Sequence, residues 1–137
     1  MTTPPSIFPY LRYRDARAAI AWLQQAFGFR VALEVPGANG GIGHAELQLG
    51  NGMVMLGDQP NEMLGMQPAA AGGGGNSQGI YIVVANVDAV YASAVAAGAR
   101  IVIALHDTDY GSRDFSCRDP EGQLWSIGSY QPPMLEG

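Results

Sequence analysis

The sequence feature that most constrains the fold is a β-hairpin pattern that occurs twice. Residues 113–125 read Arg-Asp-Phe-Ser-Cys-Arg-Asp-Pro-Glu-Gly-Gln-Leu-Trp. This predicts a strand, a turn and a second strand, because Pro120 presets φ and Gly122 supplies a positive φ where the chain reverses. A shift of 70 positions carries Glu121-Gly122 onto Asn51-Gly52, the strongest dipeptide signal for a tight hairpin turn. The chain therefore predicts two structurally equivalent halves.

Each half predicts a strand, a helix and then three strands. In the first half Asp15 has the position of a helix N-cap and Gly28 that of the C-terminal stop, and Asn86 and Gly98 have the same roles in the second half. The predicted strands cover residues 7–13, 29–35, 44–49 and 53–56, then 80–85, 100–105 and the two arms of the final hairpin. A helix against one side of each sheet would leave the other side concave.

The 137 residues are enough for one domain. We expect a single domain over residues 1–137, with a first module at about 5–57 and a second at about 79–130. Between the modules, residues 58–78 lose hydrophobic periodicity and include the run Gly72–Gly75, which predicts a flexible connector. This glycine run lacks the Lys and Ser or Thr that close a phosphate-binding loop.

Charge and residue usage exclude several classes of function. The net charge of −5 argues against a nucleic-acid partner, because nucleic-acid binding needs a basic face. The chain has no Lys, which rules out Schiff-base chemistry through a lysine. No apolar run approaches the roughly 20 residues of a membrane span, and no signal-peptide pattern is present, so we expect a cytoplasmic protein without a membrane partner. The single cysteine, Cys117, excludes an internal disulfide and is expected to be a buried thiol rather than a nucleophile.

Three motifs within the repeated unit carry a family resemblance. They are Tyr-Leu-Arg-Tyr-Arg-Asp before the first helix, His-Ala-Glu-Leu on the third strand, and Arg-Asp-Phe followed by Asp-Pro-Glu-Gly-Gln-Leu-Trp near the end. From about Ile7 to Tyr130 the chain resembles the vicinal oxygen chelate superfamily, and within it the glyoxalase and bleomycin-resistance-protein group. The resemblance implies an α+β fold in which two βαβββ modules form a concave, partly open, mixed β-sheet cup with helices on its outer face. Lyases, dioxygenases, epimerases and antibiotic-binding proteins share this scaffold, so the resemblance defines the fold better than the activity.

The resemblance also implies where a divalent metal would be held. Its four positions, one on the first strand and one on a later strand of each half, correspond here to Phe8, Glu46, Ile80 and Ser126. Only Glu46 is a good ligand for such an ion. We therefore expect no metal and no cofactor.

His44 lies two residues before Glu46, so both side chains project from one face of a strand. This is the spacing of a two-ligand fragment, which would need further donors from Asp114 or His106. A solvated or hydrogen-bonded histidine at the mouth of the cup is the alternative that we favour.

Strand alternation extends these positions to a predicted ligand-binding face. Its members are Phe8, Tyr10, Arg12, His44, Glu46, Gln48, Ile80, Ile82, Asp114, Ser116 and Ser126, with Tyr110 in the loop formed by residues 106–111. Ordinary core packing is an equal alternative for the aliphatic and phenylalanine members. The opposite alternation places Leu11, Tyr81, Val83, Trp125 and Ile127 beneath the helices. Trp22 lies off the apolar stripe of the first helix and is expected to be partly exposed or at a subunit contact.

Two hypotheses of function follow. In the first, the chain is a metal-free protein that binds a small molecule in the cup, with aromatic or cationic antibiotics as one class, because mixed aromatic, aliphatic and polar linings suit small-molecule pockets. In the second, it is a glyoxalase-like lyase or isomerase in which Glu46 is the general base. The resemblance further implies a homodimer whose cups are completed by the partner.

Overall fold

The computed structural model describes residues 4–60, 63–69 and 76–136. The glycine run of the predicted connector, Gly72–Gly75, lies outside these ranges. Within them the elements follow in this order: β1 (Tyr10–Arg12), α1 (Ala16–Phe27), β2 (Arg30–Pro36), β3 (Ile42–Leu49), β4 (Gly52–Gly57), β5 (Gly79–Val83), α2 (Val87–Ala96), β6 (Arg100–Asp107), β7 (Arg113–Arg118) and β8 (Leu124–Gly128). No helix in the described part of the chain is long and apolar enough to span a membrane.

The strands form two mixed sheets of the same topology. The first sheet has the order β1-β4-β3-β2 and the second the order β5-β8-β7-β6. In both, the first strand pairs parallel with the last strand, and the remaining neighbours are antiparallel. The predicted α+β fold of two βαβββ modules is therefore confirmed.

Equivalent residues of the two modules are 70 positions apart before the hairpin turn and 71 positions apart after it. Glu46 pairs with Met55 in the first sheet, and Ser116 pairs with Ser126 in the second. Glu46 and Ser116 are thus 70 positions apart, as predicted, whereas Met55 and Ser126 are 71 apart. The difference arises because the second turn is one residue longer than the first.

The predicted helix ends are confirmed by their capping geometry. The Asp15 side chain accepts a hydrogen bond from the Ala18 N–H, and Asn86 accepts one from the Ala89 N–H at 3.1 Å. Both satisfy N–H groups that have no partner within the helix. Gly28 ends α1 in the left-handed conformation at a φ of 88° and donates its N–H to the Gln24 carbonyl, a conformation that costs glycine little.

Trp22 corrects an expectation from the helical pattern. Its side chain is only 8% exposed, and Nε1 donates to the Ala97 carbonyl at the end of α2 at 2.8 Å. It also packs edge-on against Phe27. The predicted exposure is wrong because α1 packs against α2 as well as against its own sheet, so the helix buries two sides rather than one.

A buried carboxylate, Asp119, joins the two modules. It is 2% exposed, and Oδ2 accepts hydrogen bonds from the Tyr13 hydroxyl at 2.6 Å and from Trp125 Nε1 at 3.1 Å. Oδ1 accepts the N–H groups of Glu121 and Gln123, both at 3.0 Å. Four donors thus compensate the buried charge, as a stable buried carboxylate requires.

Replacing Asp119 with Asn should weaken this junction strongly. An amide would present an NH₂ group or a weaker acceptor to donors that have no access to water, so we expect a loss of about 2–4 kcal/mol in the free energy of unfolding. Urea unfolding measures this loss. Asp109→Asn, at an exposed loop position, is the matched control and should change the value by less than about 0.5 kcal/mol. Equal effects of the two substitutions would contradict the role of Asp119.

Cys117 should be unreactive in the folded protein. Burial, with the Asp119 charge adding to it, raises the pKa of this thiol to about 12 from an ordinary value of 9.0, and only the thiolate is a nucleophile. At pH 8 the folded thiol should react with Ellman's reagent about a thousandfold more slowly than the unfolded thiol. Because the folded pKa is the raised one, the stabilisation by the protonated thiol is complete below pH 9 and is lost as the pH rises towards 12. Rapid labelling of the native protein at pH 8 would contradict this account.

Candidate functional site

Each sheet has one face buried beneath the helices and one face open. On β3, Ala45 and Leu47 are fully buried, and the residues between and beside them, His44, Glu46 and Gln48, are on the opposite side and partly exposed. The same alternation on β4 buries Val54 and Leu56 and leaves Met53 and Met55 on the side of Glu46. These open faces are where a ligand can reach the sheets.

The open face of the first sheet combines aliphatic side chains with one polar pair. His44 Nε2 lies 2.9 Å from Glu46 Oε2, and about a third of each side chain is exposed. On the neighbouring strand, Leu33 is aligned with Glu46 and Val35 with His44, and both aliphatic side chains are more than 40% exposed. The predicted hydrogen-bonded histidine is present, with Glu46 as its partner.

The open face of the second sheet carries a carboxylate surrounded by hydroxyl groups. Asp114 Oδ1 accepts from the Tyr81 hydroxyl at 3.1 Å and from the Ser112 hydroxyl at 3.2 Å, and Oδ2 lies 3.4 Å from the Tyr110 hydroxyl. Partial burial, together with the Asp114 hydrogen bond and charge, raises the pKa of Tyr81, against a hydrogen bond from the Tyr130 N–H that lowers it. A Cβ at residue 128 would collide with Asp114 and Tyr81, so Gly128 permits this contact.

The second sheet has hydroxyl groups where the first has Glu46 and Met55. Ser116 Oγ and Ser126 Oγ form a hydrogen bond of 2.7 Å on the open face. Ile103 on β6 is aligned with Ser116 and is 51% exposed. The two open faces therefore share their aliphatic edges and differ in their polar groups.

Two of the predicted site residues face the other way. Ile80 is aligned with the buried Trp125, and Ile82 with the buried Ile127, and both isoleucines pack against the core. Their predicted placement on the open face is wrong. Tyr81 and Val83 were expected beneath the helices, and that is wrong as well, since Tyr81 is aligned with Ser126 on the open face.

A sequence signal for β5 was available in its own composition. Ile80, Ile82 and Val84 alternate with Tyr81 and Val83, and the more consistently aliphatic set is the one that packs on the core. The resemblance implies an open-face position for Ile80, whereas the structure follows the local pattern of β5. Tyr130 was missed too, although its ring packs edge-on against Tyr110 at 5.6 Å.

The remaining predicted residues lie in two groups. Tyr10, Arg12, His44, Glu46 and Gln48 are on the open face of the first sheet, and Tyr110, Asp114, Ser116 and Ser126 belong to the second. Phe8 precedes β1 and is half-buried. Among the described residues no hydrogen bond or salt bridge joins the His44–Glu46 pair to the Asp114 group.

The donor set does not fit the divalent metal that this fold holds in glyoxalases. Across residues 4–60, 63–69 and 76–136, no three side chains of His, Cys, Asp or Glu are grouped closely enough to hold a metal ion. Glu46 has one partner of this kind, His44, and the aligned residue across the strand is Met55. Asp114 and His106 are on the other sheet and do not complete a set of metal ligands with His44 and Glu46.

The two βαβββ modules with open sheet faces define the class of fold, and sequence comparison identifies the family. Residues 6–127 match the Glyoxalase/Bleomycin resistance protein/Dioxygenase superfamily. The chain belongs to this superfamily.

The chain is also similar to other proteins and to solved structures. The uncharacterized protein Mb0911c of Mycobacterium bovis is 37% identical over 127 residues, which cover 90% of this chain and 82% of that protein. The crystal structure of TioX from Micromonospora sp. ML1 is similar with a TM-score of 0.71 and 33% identity, over 90% of this chain and 97% of TioX. A bleomycin-binding protein in complex with bleomycin has a TM-score of 0.65 at 19% identity, over 93% of this chain and 99% of that protein; at this identity the likeness shows the fold alone.

Proposed function

We propose that this protein binds an aromatic small molecule, of the kind found among antibiotics, on the open faces of its sheets and without a metal ion. The observation that carries the proposal is that exposed apolar side chains lie beside a few polar groups on the open faces. Leu33 and Val35 flank the His44–Glu46 pair, and Tyr81, Tyr110 and Tyr130 surround Asp114. Apolar area supplies affinity and a few placed polar groups supply orientation.

The tyrosines favour an aromatic ligand with a positive charge. Tyr110 is 62% exposed and Tyr130 is 40% exposed, and their rings are already perpendicular to each other. A further ring could stack on either of them at small entropic cost. A cationic group would gain from the tyrosine faces and from the neighbouring Asp114 carboxylate.

The protein is expected to act as a homodimer in this proposal. Each sheet leaves one face open, and strands β2 and β6 are exposed along most of their length. A second copy would cover these faces and enclose the ligand. A cytoplasmic location and a role in antibiotic resistance stay predictions.

Titration with metal-free bleomycin tests the proposal, with light scattering to measure the mass of the complex. We expect saturable binding by calorimetry, an affinity unchanged within about twofold by EDTA, and a higher melting temperature with ligand. Tyr110→Ala should weaken binding about fivefold or more through loss of ring contact. Val95→Ala, an exposed apolar position on α2, is the control and should bind normally. Absence of binding to bleomycin and to other bulky aromatic antibiotics would remove the assignment of the ligand.

A second candidate function uses Glu46 as a general base in a glyoxalase-like lyase or isomerase reaction. The specific observation in its favour is the 2.9 Å contact with His44 Nε2, which orients the carboxylate on a surface that substrate can reach. A carboxylate held this way can accept a proton from an acidic C–H or O–H group.

Glu46→Gln separates the two functions. If Glu46 is the base, the substitution should lower kcat by about a hundredfold or more and leave ligand affinity nearly unchanged. Glu136→Gln is the matched control, because it makes the same chemical change at an exposed position near the C-terminus, and it should leave kcat unchanged. Turnover that is unchanged in Glu46→Gln would exclude the general-base function.

A further inference from the structure

Two cavities meet at Arg12, between the end of β1 and the described part of the connector. The larger has a volume of about 530 Å³ and the smaller about 230 Å³. Arg12, Met66 and Gln67 line both cavities. The larger is also lined by Pro60 and Pro68, and the smaller by Asn76. Together they offer a cationic centre with apolar and amide walls.

The Nε nitrogen of the Arg12 guanidinium has no hydrogen-bond partner. Nε is removed from solvent and makes no hydrogen bond, and no ion pair to Arg12 is formed within the described ranges. A buried guanidinium N–H without an acceptor is costly, since nearly all such groups in folded proteins are paired. An acceptor supplied by a ligand would remove this cost.

The nearby carboxylate of Asp58 does not serve as that acceptor. Its Oδ2 accepts from the Ala16 N–H at 3.0 Å, and its Oδ1 accepts from the Ile42 N–H at 3.0 Å and from Gln59 Nε2 at 2.7 Å. Burial alone would raise the pKa of Asp58, but these hydrogen bonds and the more distant charge of Arg12 hold it below its ordinary value. Asp58 is therefore committed to the starts of α1 and β3.

We propose that Arg12 and the two cavities bind a small organic acid, with the guanidinium taking the carboxylate and Met66 and the prolines taking its apolar body. Arginine presents a planar fork that matches a carboxylate. A single negative charge suits the site, because Arg12, Arg14 and Asp58 all line the larger cavity and together carry one net positive charge. Arg12 is on the open face of the first sheet, but Met66, Gln67 and the prolines of the site belong to the connector. The site therefore goes beyond the proposed function.

Methionine methyl groups can report this site and the open face separately. Met66 lines both cavities, whereas Met55 lies on the open face between Tyr10 and Glu46. Protein labelled with ¹³C in its methionine methyl groups is titrated with 3-phenylpropionate, with the neutral 3-phenylpropionamide, and with inorganic phosphate. We expect a saturable shift of the Met66 signal with the carboxylate, a constant Met55 signal, and at least about tenfold weaker binding of the amide.

Substitutions of Arg12 complete the test. Arg12→Gln should weaken 3-phenylpropionate binding at least about tenfold, and Arg12→Lys, which keeps the charge and loses the fork, should weaken it less. Arg30→Gln makes the same charge change at an exposed position of β2 and should alter the affinity by less than about twofold. If circular dichroism shows that Arg12→Gln is unfolded, Arg12→Lys decides the result.

Several outcomes would overturn the site. They are equal affinity for the acid and the amide, stronger binding of phosphate than of the carboxylate, and equal effects of Arg12→Gln and Arg30→Gln. A shift of Met55 in place of Met66 would also overturn it and would assign the acid to the open face. Failure of bleomycin to bind would leave the Met66 result unaffected, so the two proposals fail independently.

Discussion

The burial of one face of each sheet beneath the helices is the constraint on which the rest of the structure depends. Trp125, Phe115, Leu47 and Leu56 are fully buried on those faces, and each large apolar side chain contributes about 1.5–3 kcal/mol on burial. Because side chains alternate along a strand, this burial forces every second residue to the opposite side. His44, Glu46 and Ser126 are on the open faces for that reason, whatever their chemistry.

The open faces of the two modules carry different polar groups on the same scaffold. In the first sheet Glu46 is paired with His44, and in the second the equivalent position is Ser116, whose hydroxyl is bonded to Ser126. These groups do not contact the buried side, so the fold does not depend on which polar residues are on the open faces. The exposed aliphatic and aromatic side chains around these groups are suited to organic ligands.

The buried carboxylate of Asp119 and the buried Nε atom of the partly exposed Arg12 have opposite environments. Asp119 is surrounded by four donors from both modules, whereas Arg12 Nε has no acceptor. The first arrangement stabilises the junction between modules, because every charge-bearing oxygen is compensated. The second is costly unless something binds there, and it lies beside space large enough for a ligand. This contrast distinguishes a structural charged group from a candidate binding group.

Local signals in the sequence determined the elements and their repetition. Asp15 and Asn86 cap helices, Gly28 ends one, and two hairpin turns define the final strands of each module, because each of these features depends on a few neighbouring residues. The alternation of β3 also predicted which face carries His44 and Glu46. These parts of the fold and site are predictable from the local sequence alone.

The tertiary structure alone decided the features that depend on partners. The pairing of β5 with β8 places Tyr81 beside Ser126. Trp22 is buried only because α2 lies against α1. The grouping of Asp114 with Tyr81, and of Arg12 with Met66, joins residues far apart in the chain. Local propensity carries no information about such pairs, since they are set by how the modules and the connector pack.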